Sequence, residues 1–198
     1  MSSLEISLND LPYSITRRLV DLMSVETLLK FQYVNTETAF LSKRRPVTVK
    51  RKLCVTKDEL LSLRTPFYVQ HSVWIKIGSI VEGNRALPYF HGTYTFLHLS
   101  GVYSWRQAMR LCHPKVEDCH WYGILELNEQ DYDEFIRQLC HIFATRTISI
   151  YFGQSPCFFG KLKSAVENLK RDFKVADSFK ECDVFQPRDL IYITCRHL

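Results

Sequence analysis

Five short stretches constrain the fold of this 198-residue chain more than any other feature: VWIKI (73–77), TFLHL (95–99), YGILEL (122–127), TISIYF (147–152) and LIYITC (190–195). Each is rich in β-branched and aromatic residues and short, which is how strands read. Helical patterns lie between them, over 104–112, 128–143 and roughly 159–173. In the second of these, Tyr132, Phe135, Ile136, Leu139, Ile142 and Phe143 recur at helical spacing behind an Asn128 cap and an acidic first turn of Glu129 and Asp131. Thr56 and Glu59 form a capping box ahead of Leu60, Leu61 and Leu63, so a short helix begins there as well. Strand followed by helix, repeated, implies parallel strands joined by right-handed crossovers.

The strands also hint at a repeat. The doublets Leu97-x-Leu99, Leu125-x-Leu127 and Ile148-x-Ile150 begin 28 and 23 residues apart, and Ile191-x-Ile193 follows 43 residues after Ile148. Leucine-rich repeats have a period of about 20 to 29 residues, so the first two steps fit and the third does not. The expected fold class is α+β or α/β, with a β/α region of irregular leucine-rich-like repeats over 46–198. An open parallel β/α sheet is the competing architecture.

The first 45 residues read differently. Ile15, Leu19 and Leu22 sit at i, i+4 and i+7 on one helical face, with Pro12 where a first-turn proline is tolerated. Ser24 is placed to cap a second helix carrying Leu28, Leu29, Phe31, Gln32 and Val34, and a third short helix fits 35–41. Helices this short bury little by themselves, so the module has to lean on a partner or on the rest of the chain.

In this module Leu11-Pro12, Ile15, Leu19, Leu22, Leu28, Val34 and Leu41 follow one another without a gap in a pattern that resembles the F-box. The F-box is the module that tethers substrate receptors to Skp-Cullin-F-box ubiquitin ligases. The similarity covers 8–42, about a fifth of the chain. Ser14, Thr27 and Thr38 stand where many members carry Glu, Asp and Trp. The resemblance implies that the module docks on a Skp-type adaptor, and through it on a cullin, with Leu11, Pro12, Ile15, Leu19, Leu28 and Val34 as contact residues. It implies further that the β/α region presents an unknown protein target for ubiquitination. Such a receptor performs no chemistry itself and contributes proximity and orientation. Two other readings compete with it: a ligase-independent scaffold with a degenerate F-box, and an uncharacterised β/α enzyme.

Catalytic motifs do not favour the enzyme. There is no GxxxxGK[ST] or GxGxxG phosphate loop and no HExxH pair, and YFGQSPCFFGK (151–161) has the wrong spacing and reads as a strand-to-helix turn. Cys112, His113, Cys119 and His120 fall within nine residues. Each Cys adjoins its His, however, and adjacent side chains diverge on a helix or a strand, so the group does not read as a zinc site. Nor does it supply the pKa-lowering setting that a nucleophilic thiol needs. No metal and no cofactor is expected.

Seven cysteines among apolar neighbours, without an export signal, read as free thiols in a reducing compartment. No apolar run approaches the ~18 residues of a membrane span. The expectation is a soluble cytoplasmic or nuclear protein with no membrane partner. Net charge is +5, and six of the ten residues of KRRPVTVKRK (43–52) are basic. This stretch reads as a solvated linker, with a nuclear-import signal or a patch for an acidic target as functional readings. Nucleic acid is not an expected partner, because Pro, Val and Thr interleave the charges in place of stacking aromatics. Lys76, His98, Glu126, Tyr151 and Tyr192 are the candidates for target recognition, since repeat sheets bind through their faces and loops.

Overall fold

The computed structural model describes residues 11–43, 45–143, 147–153, 156–174, 179–185 and 190–197. In chain order the elements are α1 (Tyr13–Leu22), α2 (Val25–Phe31), α3 (Thr36–Ser42), β1 (Thr48–Val55), α4 (Lys57–Ser62), β2 (Phe67–Ile77), α5 (Ile80–Ala86) and β3 (Phe90–Gly92). They continue with β4 (Phe96–Ser104), α6 (Trp105–Leu111), β5 (Asp118–Glu126), α7 (Tyr132–Phe143), β6 (Thr147–Gly153), α8 (Pro156–Lys174), β7 (Phe179–Phe185) and β8 (Leu190–His197).

All eight strands join one sheet in the order β1-β2-β4-β5-β6-β8-β7, with the short β3 pairing β2. From β1 to β6 every pairing is parallel, and β8 and β7 close that end antiparallel. Chain order and spatial order therefore run together along the parallel part. A doubly wound sheet instead reverses its strand order partway and covers both faces with helices.

Register carries one apolar ladder across the sheet. Leu53 pairs Val73, Val73 pairs Leu97, Leu97 pairs Cys119 and Cys119 pairs Ile148. Two residues further on, Val55, Ile75, Leu99, Trp121 and Ile150 line up in the same way. The ladder positions 53, 73, 97, 119 and 148 are 20, 24, 22 and 29 residues apart. This corrects the repeat expected from the Leu doublets: Leu125 pairs Tyr103, six residues beyond Cys119, while Cys119 and Trp121 hold the places of Leu97 and Leu99. An aromatic and a thiol serve the buried face as well as leucine does, so a search for leucine alone misses the step.

The ladder residues whose side chains are described join the buried side chains of α4 to α8 in a single core, including Leu60, Ala86, Trp105, Leu111, Phe135, Leu139, Phe143, Phe158 and Leu162. Because one cluster gathers all five helices, they lie on one face of the sheet. The amphipathic pattern expected of α7 is realised, with Tyr132, Phe135, Ile136, Leu139, Ile142 and Phe143 all buried. Its start differs from expectation: residues 129–131 form a 3₁₀ turn, and the Asn128 side chain makes no capping bond.

Two glycines let β2, β4 and β5 approach one another closely. Gly101 and Gly123 are paired in register and both have positive φ, 98° and 118°. A Cβ at Gly101 would stand 1.9 Å from the Ile77 carbonyl oxygen, so no other residue fits there without moving the backbone.

The three amino-terminal helices build a separate small cluster of Val20, Leu28, Phe31 and Leu41, with Met23 and Val47 packed against it. Ser24 caps α2 by accepting from the Thr27 backbone N–H at 3.1 Å. Asn35 and Thr38 form a reciprocal capping box at α3, with bonds of 2.9 and 3.0 Å. The Arg45 guanidinium donates to the Met23 carbonyl and ties the end of the module back to the end of α1. The basic stretch 43–52 is not wholly a linker. Its second half opens β1, an edge strand, and Lys50, Arg51 and Lys52 supply the charges by which exposed edges resist pairing with other chains.

Candidate functional site

Two surfaces merit attention, and α1 carries the first. Its buried residues are Thr16 and Val20, whereas Ile15, Leu19 and Leu22 are 46%, 38% and 74% exposed. The periodic apolar face seen in the sequence is thus turned outward, and the module core is closed by the neighbouring face. A surface helix normally buries its apolar stripe. Pro12 is exposed just ahead of this face and Leu11 is half-buried. Val34, in the turn after α2, is also exposed, as are Tyr33 and Phe40. Leu28 is the exception among the expected contact residues. At 2% exposure it belongs to the module core, because α2 turns Val25, Leu28 and Phe31 inward together.

The second surface is the sheet face opposite the helices. Strand alternation sends Leu97, Leu99, Cys119 and Trp121 into the core and Phe96, His98, Ser100, His120 and Tyr122 the other way. Trp74 and Lys76 project from β2 on that same side and are exposed. The rings form a continuous stack over three strands. Trp74 lies 4.4 Å from His98 with only 15° between the planes, and His98 lies 5.1 Å from Tyr122. Phe96 fits beside them, 5.6 Å from Trp74 and 5.2 Å from His120. The spacing follows from the sheet, whose strands are about 4.8 Å apart, so rings on neighbouring strands meet: Trp74 stacks on His98, and Tyr122, diagonal to it, is tilted by 31°.

His120 has a neighbour at both nitrogens. Nε2 lies 3.1 Å from Asp118 Oδ1, and Nδ1 lies 3.4 Å from the Tyr122 hydroxyl. The first is an approach without hydrogen-bond geometry, since Asp118 Oδ1 has no hydrogen-bond partner among the described residues, and the second suits an Nδ1 accepting from the phenol. Burial within the stack holds His98 below the ordinary imidazole range, and His120 beside it pushes the same way. His98 is therefore a neutral ring at pH 7.

The Cys and His cluster of 112–120 is split between two environments. Cys112 and Cys119 are buried in the core with their sulfurs 3.8 Å apart, whereas His120 projects from the opposite face and His113 packs edge-on to Tyr94. Among the described residues no group of three or more His, Cys, Asp or Glu side chains is arranged to hold a metal ion. No helix among them is long and apolar enough to cross a membrane.

Of the residues expected to recognise a target, the structure gathers Lys76 and His98 on the open face and puts Glu126 at the far end of β5 on the same side. Tyr151 and Tyr192 pair in register across β6 and β8, one step along from Tyr122, and their side chains lie outside the described residues. Sequence reasoning missed Trp74, Phe96, His120 and Tyr122 as members of this face. The signal was available in the alternation: Phe96-x-His98 and His120-x-Tyr122 are the outward complements of Leu97-x-Leu99 and Cys119-x-Trp121. No protein-family model, curated protein or solved structure matches the chain, so its surfaces carry the functional reading.

Proposed function

We propose that the chain is a non-catalytic substrate-recognition subunit of an SCF-type ubiquitin ligase. Residues 1–45 act as an F-box-like module that docks on a Skp-type adaptor, and 46–198 form a region of irregular leucine-rich-like repeats that holds a protein target. The observation that carries this reading is the outward apolar face of α1. Ile15, Leu19 and Leu22 leave the module core to Val20, Leu28, Phe31 and Leu41, and an apolar stripe left in water on a short helix is what a docking helix needs. Pro12 and Leu11 extend the handle at its amino-terminal end, and Val34 adds a separate exposed contact.

The target-holding half rests on the sheet. Sequential parallel strands, helices gathered on one face and ladder steps of 20 to 29 residues fit repeats that stack side by side and bind through the free face. The role asks nothing of either surface beyond binding.

Co-expression with a Skp-type adaptor tests the proposal. Wild type should co-purify with the adaptor, and Ile15→Asp or the double change Leu11→Ala, Pro12→Ala should not, while the far-UV spectrum stays unchanged. A wild-type chain that folds and leaves the adaptor behind would favour the ligase-independent scaffold.

A further inference from the structure

We propose that the free edge of β1 accepts an acidic peptide as an added strand of the sheet. Neither the outward face of α1 nor the open face of the sheet takes part, so the site is independent of the adaptor reading.

The edge is open and continuous. β1 ends the sheet and, among the described residues, pairs with β2 alone. About half of the backbone N–H and C=O groups of such a strand point away from its neighbour and can pair with an arriving chain. A bulge on an edge strand twists it away from such pairing. Here the register shift between Lys50 and Lys52 puts the extra residue in β2, which has Gln70 and His71 between Val69 and Ser72 where β1 has Arg51 alone. The eight residues of β1 therefore run without an insertion, and Val49, Lys50, Arg51 and Lys52 are exposed in succession.

The charge along this edge has one sign. Residues 43–56 and 64–77, which supply β1, β2 and the segments leading into them, hold eight Lys and Arg and no Asp or Glu. Lys50, Arg51 and Lys52 have no ion-pair partner among the described residues. The carboxylates that border the edge are turned elsewhere. Glu59 accepts from the Thr56 backbone N–H and hydroxyl, both at 2.8 Å, and Glu26 lies 3.5 Å from Lys30. Asp21 and Asp58 belong to α1 and α4, off the strand. A strand carrying carboxylates is complementary to this edge, and a basic one is not.

The same charges set which strands are turned away. A second copy of β1 laid antiparallel about Arg51 would put Lys50 opposite Lys52 on both sides of the centre, and like charges directly opposite destabilise a strand pair. The edge thus repels its own copy while attracting an acidic strand, which is how one set of residues supplies both halves of specificity. Phosphates match the charge as well, but a polynucleotide leaves the N–H and C=O groups of the edge without a ladder. An extended peptide meets both requirements.

The test uses the full chain and fluorescence anisotropy with three labelled probes: a decapeptide of alternating Glu and Thr, its Lys-for-Glu counterpart, and oligothymidine. The adaptor is left out, so a failure of the docking reading does not affect the result. The acidic peptide should bind saturably and the basic one should not. The double change Lys50→Glu, Lys52→Glu should weaken binding by at least about tenfold, because it sets like charges against each other at the contact. Lys161→Glu with Lys163→Glu makes the same charge change on exposed positions of α8 and should leave binding near wild type. Hydrogen exchange reads the ladder itself: amides of 48–53 that exchange fast in the free chain should become protected when the acidic peptide is bound. The proposal is overturned if the acidic peptide does not bind, or if the α8 double change matches the β1 one so that only net charge matters. It is overturned equally if binding leaves β1 exchange unchanged, or if oligothymidine binds more tightly than the acidic peptide.

Discussion

Leu19 and Leu28 are the same residue type on adjacent helices of one small module, and the structure exposes the first and buries the second. Leu28 is 2% exposed in a cluster of four buried side chains among the described residues, so truncation to Ala leaves a cavity that these neighbours are too few to fill. Leu→Ala at such sites costs about 2 to 5 kcal/mol, the sum of lost transfer energy and cavity. Leu19 is 38% exposed, so over a third of its surface is already in water and the space it vacates opens to solvent. Without a closed cavity only part of the transfer energy is lost, about 1 kcal/mol or less. Hydrogen exchange of the α1 and α2 amides, read with urea unfolding, should show Leu28→Ala opening the module and Leu19→Ala leaving it closed. Adaptor capture separates the two further, because Leu19→Ala should lose it with the module intact. If Leu19→Ala destabilises the module as much as Leu28→Ala, the outward face of α1 is an error and the docking argument fails with it.

Further perturbations follow from the geometry. Gly101→Ala forces a positive φ on a residue with a Cβ and drives that atom into the Ile77 carbonyl, so a loss of more than about 3 kcal/mol is expected in a thermal melt. Thr38→Ala removes one half of the α3 capping box and should cost about 1 kcal/mol, with Thr38→Ser restoring most of it. His98 should titrate below the ordinary imidazole midpoint in an NMR pH series. Its neutral form is the one favoured by folding, so its contribution is whole above the unfolded midpoint, near about 6.5, and is lost as pH falls toward the lower folded value. In Trp74→Ala the His98 midpoint should rise, because the ring that buries one of its faces is gone.

Much of the secondary structure was legible because local signals and tertiary context agree. Ser24, Asn35, Thr56 and Ser104 all stand at the starts of helices, and each expected strand appears. What escaped had composition working against it. In β1, Lys50, Arg51 and Lys52 follow Thr48 and Val49 directly, which suits an exposed edge and reads as linker. α5 is a single short helix carrying Gly83, which packs against the Gln107 side chain where a Cβ would collide. The ladder was misaligned because burial, and not leucine, defines its steps. Periodicity also finds the apolar face of α1 without saying which way it turns, since the three positions look the same whether they meet a core or a partner. Orientation came only from seeing Val20 and Leu28 fill the module.

Affinity for the adaptor tests the central claim most directly. Isothermal titration of a purified Skp-type adaptor into the full chain should give saturable one-to-one binding for wild type. Leu28→Ile should retain it, because that residue fills the core and touches no partner, and Ile15→Asp should abolish it, because a carboxylate then sits in the middle of the apolar contact. A folded wild-type chain that gives no binding, or an Ile15→Asp chain that binds as wild type does, would contradict the account.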